Sequence, residues 1–202
     1  MSITYSGITP TLVFATDDLQ DTENLDWRPS KKKGVPGKLV KNRDGVCQSL
    51  VVDWIQKSKQ TAGGVTDKSQ LKSGLALALM QTAYMRDVFD DDGVVDTHGL
   101  SVNTANELNR KTGIKGLLQR DPLIRIGTAC AGLVGYALIN IYGDGGHALG
   151  YKQKNGVVQF FDPNEGILQF SSSQDFAKWF PSYIKGEYPD LLDSVTLKKI
   201  TG

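Results

Sequence analysis

Cys47, His147 and Asp162 are the three residue types that nucleophilic acyl chemistry needs. A thiolate attacks a carbonyl carbon, an imidazole takes and returns the proton, and a carboxylate holds the imidazole in one tautomer. Cys47 opens a stretch in which Cys47, Leu50, Val51, Trp54 and Ile55 fall on one helical stripe. Asp44 is placed to cap that helix, which would put Cys47 near its third position. Unpaired N–H groups and the positive dipole end there favour a thiolate over a thiol. The competing reading of this stretch is a buried structural cysteine.

His147 begins one strand-like segment, and Asp162 follows the next. Asn155-Gly156 between them is a tight-hairpin signal. In an antiparallel hairpin the start of the first strand lies beside the end of the second. The imidazole and the carboxylate should therefore meet. Docking of Cys47 against this hairpin does not follow from spacing.

The remaining elements must carry these groups. A helix from Val46 to about Gln60 ends before Gly63-Gly64. Thr66 is read as the cap of a second helix with Leu71, Leu75, Ala78, Leu79 and Ala83 on one face, ending before Asp90-Asp91-Asp92-Gly93. That acidic run lacks the alternating ligands of a calcium loop. A third helix is expected over Ser101–Lys111, closed by Gly113. Strand character is read from Leu123 onward. Strands are expected at 133–142, 147–152, 157–161, 167–170 and 195–200, with a helix at 174–184 that Pro181 could shorten. Helices first and an antiparallel sheet afterwards indicate an α+β fold.

Ahead of these elements, Thr11–Ala15 reads as a short strand, Asp17–Asp26 as acidic and polar, and Lys31–Lys38 as a solvated basic linker. Residues 1–38 are thus expected to be an extension with room for flexibility, and 39–202 the ordered domain. A net charge of +1 over 202 residues gives no reason to expect a nucleic-acid partner. No Cys/His cluster has metal-site spacing, so neither metal nor cofactor is expected. Cys130 among small residues reads as structural, and His98 as a surface or helix-entry residue. Two cysteines make no disulfide framework and suggest a reducing compartment. The N-terminus lacks the pattern of a classical signal peptide.

Gly45-Val46-Cys47-Gln48-Ser49-Leu50 with Trp54, then Gly146-His147-Ala148, then Phe160-Phe161-Asp162-Pro163-Asn164-Glu165-Gly166, resemble the YopT/AvrPphB-type papain-like cysteine proteases in order and spacing. The resemblance runs over roughly residues 40–200. It implies a papain-like fold, with a helical lobe led by the cysteine helix against an antiparallel sheet carrying His and Asp. It implies a cysteine endopeptidase with Cys47 as nucleophile, His147 as base and acid, and Asp162 as orienting carboxylate. Asn42, five residues before Cys47, then matches the family's oxyanion-hole amide beside the Cys47 backbone N–H. One such donor is worth ~3 kcal/mol of barrier.

The resemblance further implies a bacterial effector or toxin. It would be secreted without a classical signal peptide and act in the host cytoplasm on a host protein. A small GTPase or a kinase is the implied target type, and a membrane-associated substrate is compatible with it. Two alternatives stay open at this level. The same three residues could serve deamidation, transglutamination or acyl transfer, or the fold could bind without turnover. A working Cys–His pair predicts thiol reactivity that persists well below pH 7 and depends on His147.

Overall fold

A seven-stranded antiparallel sheet separates two helical layers. The computed structural model describes residues 3–20, 24–28, 38–42, 45–90, 102–103 and 121–200. In chain order the elements are β1 (Thr11–Phe14), α1 (Asp17–Gln20), β2 (Asn24–Arg28), β3 (Lys38–Asn42), α2 (Cys47–Gln60) and α3 (Leu75–Asp90). They continue with β4 (Val102–Asn103), α4 (Pro122–Ala131), β5 (Gly135–Tyr142), β6 (Gly146–Lys154) and β7 (Val157–Asp162). The last are β8 (Gly166–Phe170), α5 (Ser173–Glu187) and β9 (Ser194–Ile200). The sheet order is β1-β8-β7-β6-β5-β9-β4, and β2 and β3 pair separately.

Alternation along the central strands builds a core on each face. Ala137, Ile139 and Ile141 of β5 join the cluster under α4 and α5. Tyr136 and Leu138 between them join the cluster under α2. The first cluster is aromatic: Trp179 stacks on Tyr183 at 4.2 Å, and Phe160 meets Trp179 edge-on at 5.6 Å.

The hairpin signal is realised as read. Asn155 and Gly156 both take positive φ, 53° and 78°, as a two-residue turn between twisted strands requires. The β6–β7 ladder runs from Lys154↔Val157 to Gly150↔Phe161. At Gly150 side chains of α2 press directly on the sheet backbone. A Cβ there would lie 2.6 Å from a ring carbon of Trp54 and 3.2 Å from a methyl of Val51. Gly150→Ala should therefore lower stability by ~1–3 kcal/mol in urea denaturation. A wild-type midpoint would show that Trp54 is not pinned there.

Several expectations need correction. Residues 122–131 are helical, not strand. Leu123, Ile126, Gly127 and Cys130 form the buried stripe, and Asp121 caps the helix ahead of Pro122. Leu71 precedes α3, and Leu75 and Leu79 are exposed on it. Among its described side chains, Leu77, Ala78, Gln81 and Tyr84 are buried. Thr66 is not a helix cap, because Asp67 caps a short 3-10 turn at Lys68–Gln70. Pro181 does not shorten α5. It lacks the N–H that would reach Ala177 O, and Gly127 of α4 packs against that carbonyl.

Val102–Asn103 is extended, and the rest of the helix expected at 101–111 lies outside the described residues, as do Gly113, His98, residues 31–37 and the acidic run from Asp91. Residues 3–14, ahead of the expected start of the core, join it: β1 pairs with β8, and Ile3, Tyr5 and Ile8 pack against the α5 cluster.

Candidate active site

Two hydrogen bonds set the register of α2 over the sheet, and so deliver Cys47 to the hairpin. Asn140 Nδ2 donates to Gln48 Oε1 at 3.0 Å, and Tyr136 O–H donates to the Ser58 carbonyl at 2.7 Å. The helix anchors are ten residues apart, about 15 Å along the axis. The strand anchors are four apart, about 13 Å. The near match lays α2 antiparallel to β5 and along β6. Cys47 thus comes to the start of β6, where His147 and Ala148 are.

The helix begins at Cys47 itself, with Val46 at the N-cap and no side-chain cap from that residue. This corrects the third-position expectation; Asp44 lies outside the described residues. The cap comes from a different helix. Gln81 Oε1 of α3 accepts from the Ser49 backbone N–H at 3.2 Å and from the Ser49 hydroxyl at 3.3 Å. An acceptor on this N–H is what an N-cap residue ordinarily supplies. Gln81→Ala should cost ~1 kcal/mol in chemical denaturation. An unchanged midpoint would assign the capping to some other group.

Cys47, His147 and Asp162 come together. His147 Nε2 lies 2.9 Å from Asp162 Oδ1. The imidazole also acts on the Cys47 thiol, through charge and hydrogen bonding that favour the thiolate. With Nε2 facing Asp162, Nδ1 is the nitrogen left for sulfur. All three are buried, at 8%, 6% and 0% exposure, so solvent screens their interactions little.

Burial pushes the Cys47 thiol pKa up, but the His147 hydrogen bond and charge, with the Ala148 and Gln48 backbone N–H groups, bring it below the usual value. Burial likewise opposes the imidazolium. The Asp162 charge and hydrogen bond and the Cys47 contact outweigh it and raise His147 to about 10. Asp162 is lowered despite complete burial, because the His147 charge, the His147 hydrogen bond and two tyrosine hydroxyls hold it ionised. These directions favour the thiolate and the imidazolium over their neutral forms, beside an ionised carboxylate.

Asp162 is held by more than sequence reasoning foresaw. Tyr183 and Tyr188 hydroxyls donate to its Oδ2 at 2.6 and 2.7 Å. The Asn164 backbone N–H donates to Oδ1 at 2.9 Å. That last bond is local: Asp162-Pro163-Asn164-Glu165 is a turn closed by Glu165 N–H to the Asp162 carbonyl at 3.0 Å. An Asp at the head of such a turn accepts from two residues ahead. The burial of Tyr183 was legible, since it continues the Phe176, Trp179, Phe180 stripe of α5. The target of its hydroxyl was not.

Asn42 ends β3, paired with Asn24 of β2. Its side chain lies outside the described residues. Cys130 is buried on α4, and burial raises its thiol pKa strongly. Among the described residues no group of three His, Cys, Asp or Glu side chains could hold a metal ion.

A family model described as Yersinia/Haemophilus virulence surface antigen matches residues 128–190, which include His147 and Asp162. The cysteine protease YopT of Yersinia pestis is 27% identical over 187 residues, covering 81% of this chain and 58% of the relative. The YopT of Yersinia pseudotuberculosis is 27% identical over 181 residues, covering 78% of this chain and 56% of the relative. The crystal structure of the Pseudomonas avirulence protein AvrPphB has TM-score 0.54 at 14% identity, covering 93% of this chain and 100% of that one. The chain is similar in sequence to the YopT cysteine proteases and in fold to AvrPphB. AvrPphB contributes the shared fold alone, and with it the papain-like α+β class holds. The chain spans less than two thirds of the length of the YopT relatives.

Proposed function

We propose that this chain is a cysteine endopeptidase of a bacterial effector that cuts a host protein. The observation that carries the reading is the buried Cys47–His147–Asp162 arrangement, with its 2.9 Å imidazole–carboxylate contact and a thiol drawn toward the thiolate. Cys47 Sγ attacks the scissile carbonyl carbon. The bond to the leaving amine breaks as His147 hands it a proton, and a thioester remains. His147 then takes a proton from water, and the resulting attack on the thioester releases the acid and restores the thiol. Asp162 keeps its negative charge throughout and stabilises the imidazolium.

In the same reading the oxyanion is held by the Cys47 backbone N–H and the Asn42 side-chain amide, the protease domain is residues 39–202, and the protein acts in the host cytoplasm after export without a classical signal peptide. A small GTPase or a kinase is the target class, and a membrane-associated substrate is compatible with this reading. The test is to incubate host-cell lysate with the wild-type protein and with Cys47→Ala, and to sequence new protein N-termini. Termini that arise only with wild type are the expected result. Identical termini with both proteins would remove the protease reading. A mass change of one dalton at glutamine side chains, without cleavage, would replace it with deamidation.

A further inference from the structure

We infer that Tyr188 is a positioning residue of the active site, holding the imidazole of His147 and the carboxylate of Asp162 in one fixed relation. The inference rests on the reading of these residues given under Proposed function.

Among the described residues Tyr188 touches both members of the pair. Its ring stacks on the His147 ring, with centroids 4.9 Å apart and planes 24° from parallel. Its hydroxyl donates to Asp162 Oδ2 at 2.7 Å and lies 3.3 Å from His147 Nε2. The side-chain amide of Asn164 donates back to that hydroxyl at 3.1 Å. The phenol is therefore not free to turn. Its only proton points at the carboxylate, because its oxygen is already receiving one.

The carboxylate geometry shows what this does. Asp162 Oδ1 receives the imidazole and the Asn164 backbone N–H, and Oδ2 receives Tyr183 and Tyr188. A carboxylate offers about four acceptor positions, and here all are used. With both oxygens occupied, the group cannot rotate about its Cβ–Cγ bond to withdraw Oδ1 from the imidazole. The stacked phenol also covers one face of the imidazole, which blocks the ring from swinging toward that side.

The backbone fixes Tyr188 in turn. It is the residue at which the chain leaves α5, its N–H bonded to the Ile184 carbonyl at 3.0 Å and its carbonyl to the Leu191 N–H at 3.1 Å. Two residues on, the Asp190 carbonyl accepts from the Asp144 N–H at 3.1 Å. That bond ties the segment to the β5–β6 turn just ahead of His147.

Tyr183 differs in an instructive way. It donates to the same oxygen, but its ring packs on Trp179 and Tyr5. Removing either hydroxyl takes one donor from the carboxylate. Loss of such a bond should make Asp162 easier to protonate, and once protonated it no longer supports the imidazolium and thiolate. The acid edge of thiol reactivity then moves to higher pH.

The experiment measures the rate of Cys47 alkylation by iodoacetamide from pH 4 to pH 9, with sites read by peptide mass spectrometry. The proteins are wild type, His147→Ala, Tyr188→Phe, Tyr183→Phe and Asn164→Ala, each with its thermal midpoint. Tyr188→Phe should raise the acid edge by about one pH unit, with little change in rate at pH 9. Tyr183→Phe should move it the same way. Asn164→Ala, at an exposed residue that leaves the backbone donor in place, should move it the same way by less. It also serves as the readout if Tyr188→Phe does not fold.

A lowered thermal midpoint in Tyr188→Phe or Asn164→Ala with a wild-type acid edge in both would reduce Tyr188 to a packing residue and overturn the inference. Wild-type protein that shows no His147-dependent labelling at pH 5 would instead sink the thiolate–imidazolium pair itself, and the positioning role with it.

Discussion

His147→Ala should slow alkylation of Cys47 at pH 5 by about a hundredfold, and the deficit should shrink as pH rises toward 9. Two opposing effects set that size. Without the imidazolium, Cys47 reverts toward an ordinary thiol of pKa 9.0, and burial pushes it higher still. An ordinary thiol four units below its pKa is about one part in 10⁴ thiolate. A more basic thiolate is also a better nucleophile, which returns about half of that exponent. The remaining factor of about a hundred is the expected loss. Near pH 9 the variant's own thiolate population rises, so the two proteins converge. Cys130 is an internal control, since it is buried and its thiol is held well above the usual range. It should label in neither native protein. Equal rates for Cys47 in both proteins at pH 5 would mean that the hydrogen-bonded thiol and imidazole do not exchange a proton.

How much of this site could be read beforehand depends on the sequence separation of its contacts. The His147–Asp162 contact spans 15 residues and is enforced by one tight turn. Asn155-Gly156 and the strand alternation around it were therefore enough to anticipate it. The arrival of Cys47 depends on Asn140 meeting Gln48 across 92 residues. No local pattern encodes such a contact, and the resemblance to known proteases, not spacing, supplied the expectation.

Tyr188 reaches His147 across 41 residues and Asp162 across 26, from a position where a helix ends. Nothing in its neighbourhood marks it as polar-active. Gln81 is similar: a glutamine in the middle of a helical stripe gives no hint that it caps another helix.

The misread of residues 122–131 has a different origin. Ile124 and Ile126 are β-branched and suggest a strand. Tertiary burial of Leu123, Ile126 and Cys130 on one face, with the Asp121-Pro122 start signal, outweighs that preference. On α3 the stripe was placed by counting apolar residues. The helix instead buries Gln81, because its carbonyl oxygen is needed at α2, and leaves Leu75 and Leu79 exposed.

The same crowding at Asp162 makes that side chain costly to remove. Asp162→Ala takes the acceptor from one buried and one half-buried phenol, one backbone N–H and the imidazole together. Breaking a buried charged pair from one side typically costs ~3–5 kcal/mol, because the surviving partner is left without compensation.

The pH dependence follows from the directions of the two shifts. His147 is raised from 6.5 to about 10, so its contribution is fully present below pH 6.5 and is lost as pH climbs through about 10. Asp162 is lowered from 3.8, so its contribution is present above pH 3.8 and is lost as pH falls through its folded value. The gap between wild type and Asp162→Ala should therefore be widest between pH 3.8 and 6.5 and should narrow toward pH 10. It should not close, because the orphaned hydroxyls and N–H of the variant do not titrate away in that range.

Asp162→Asn should cost less, since the carboxamide oxygen still accepts and the Tyr183 hydroxyl can turn to accept from its amide. Urea denaturation of the three proteins at pH 5.5 and 9.5 measures both effects. A gap that grows from pH 5.5 to 9.5 would contradict an ionised Asp162 beside a charged imidazole. A gap under ~1 kcal/mol at both would mean that the carboxylate's desolvation cancels what its four donors return.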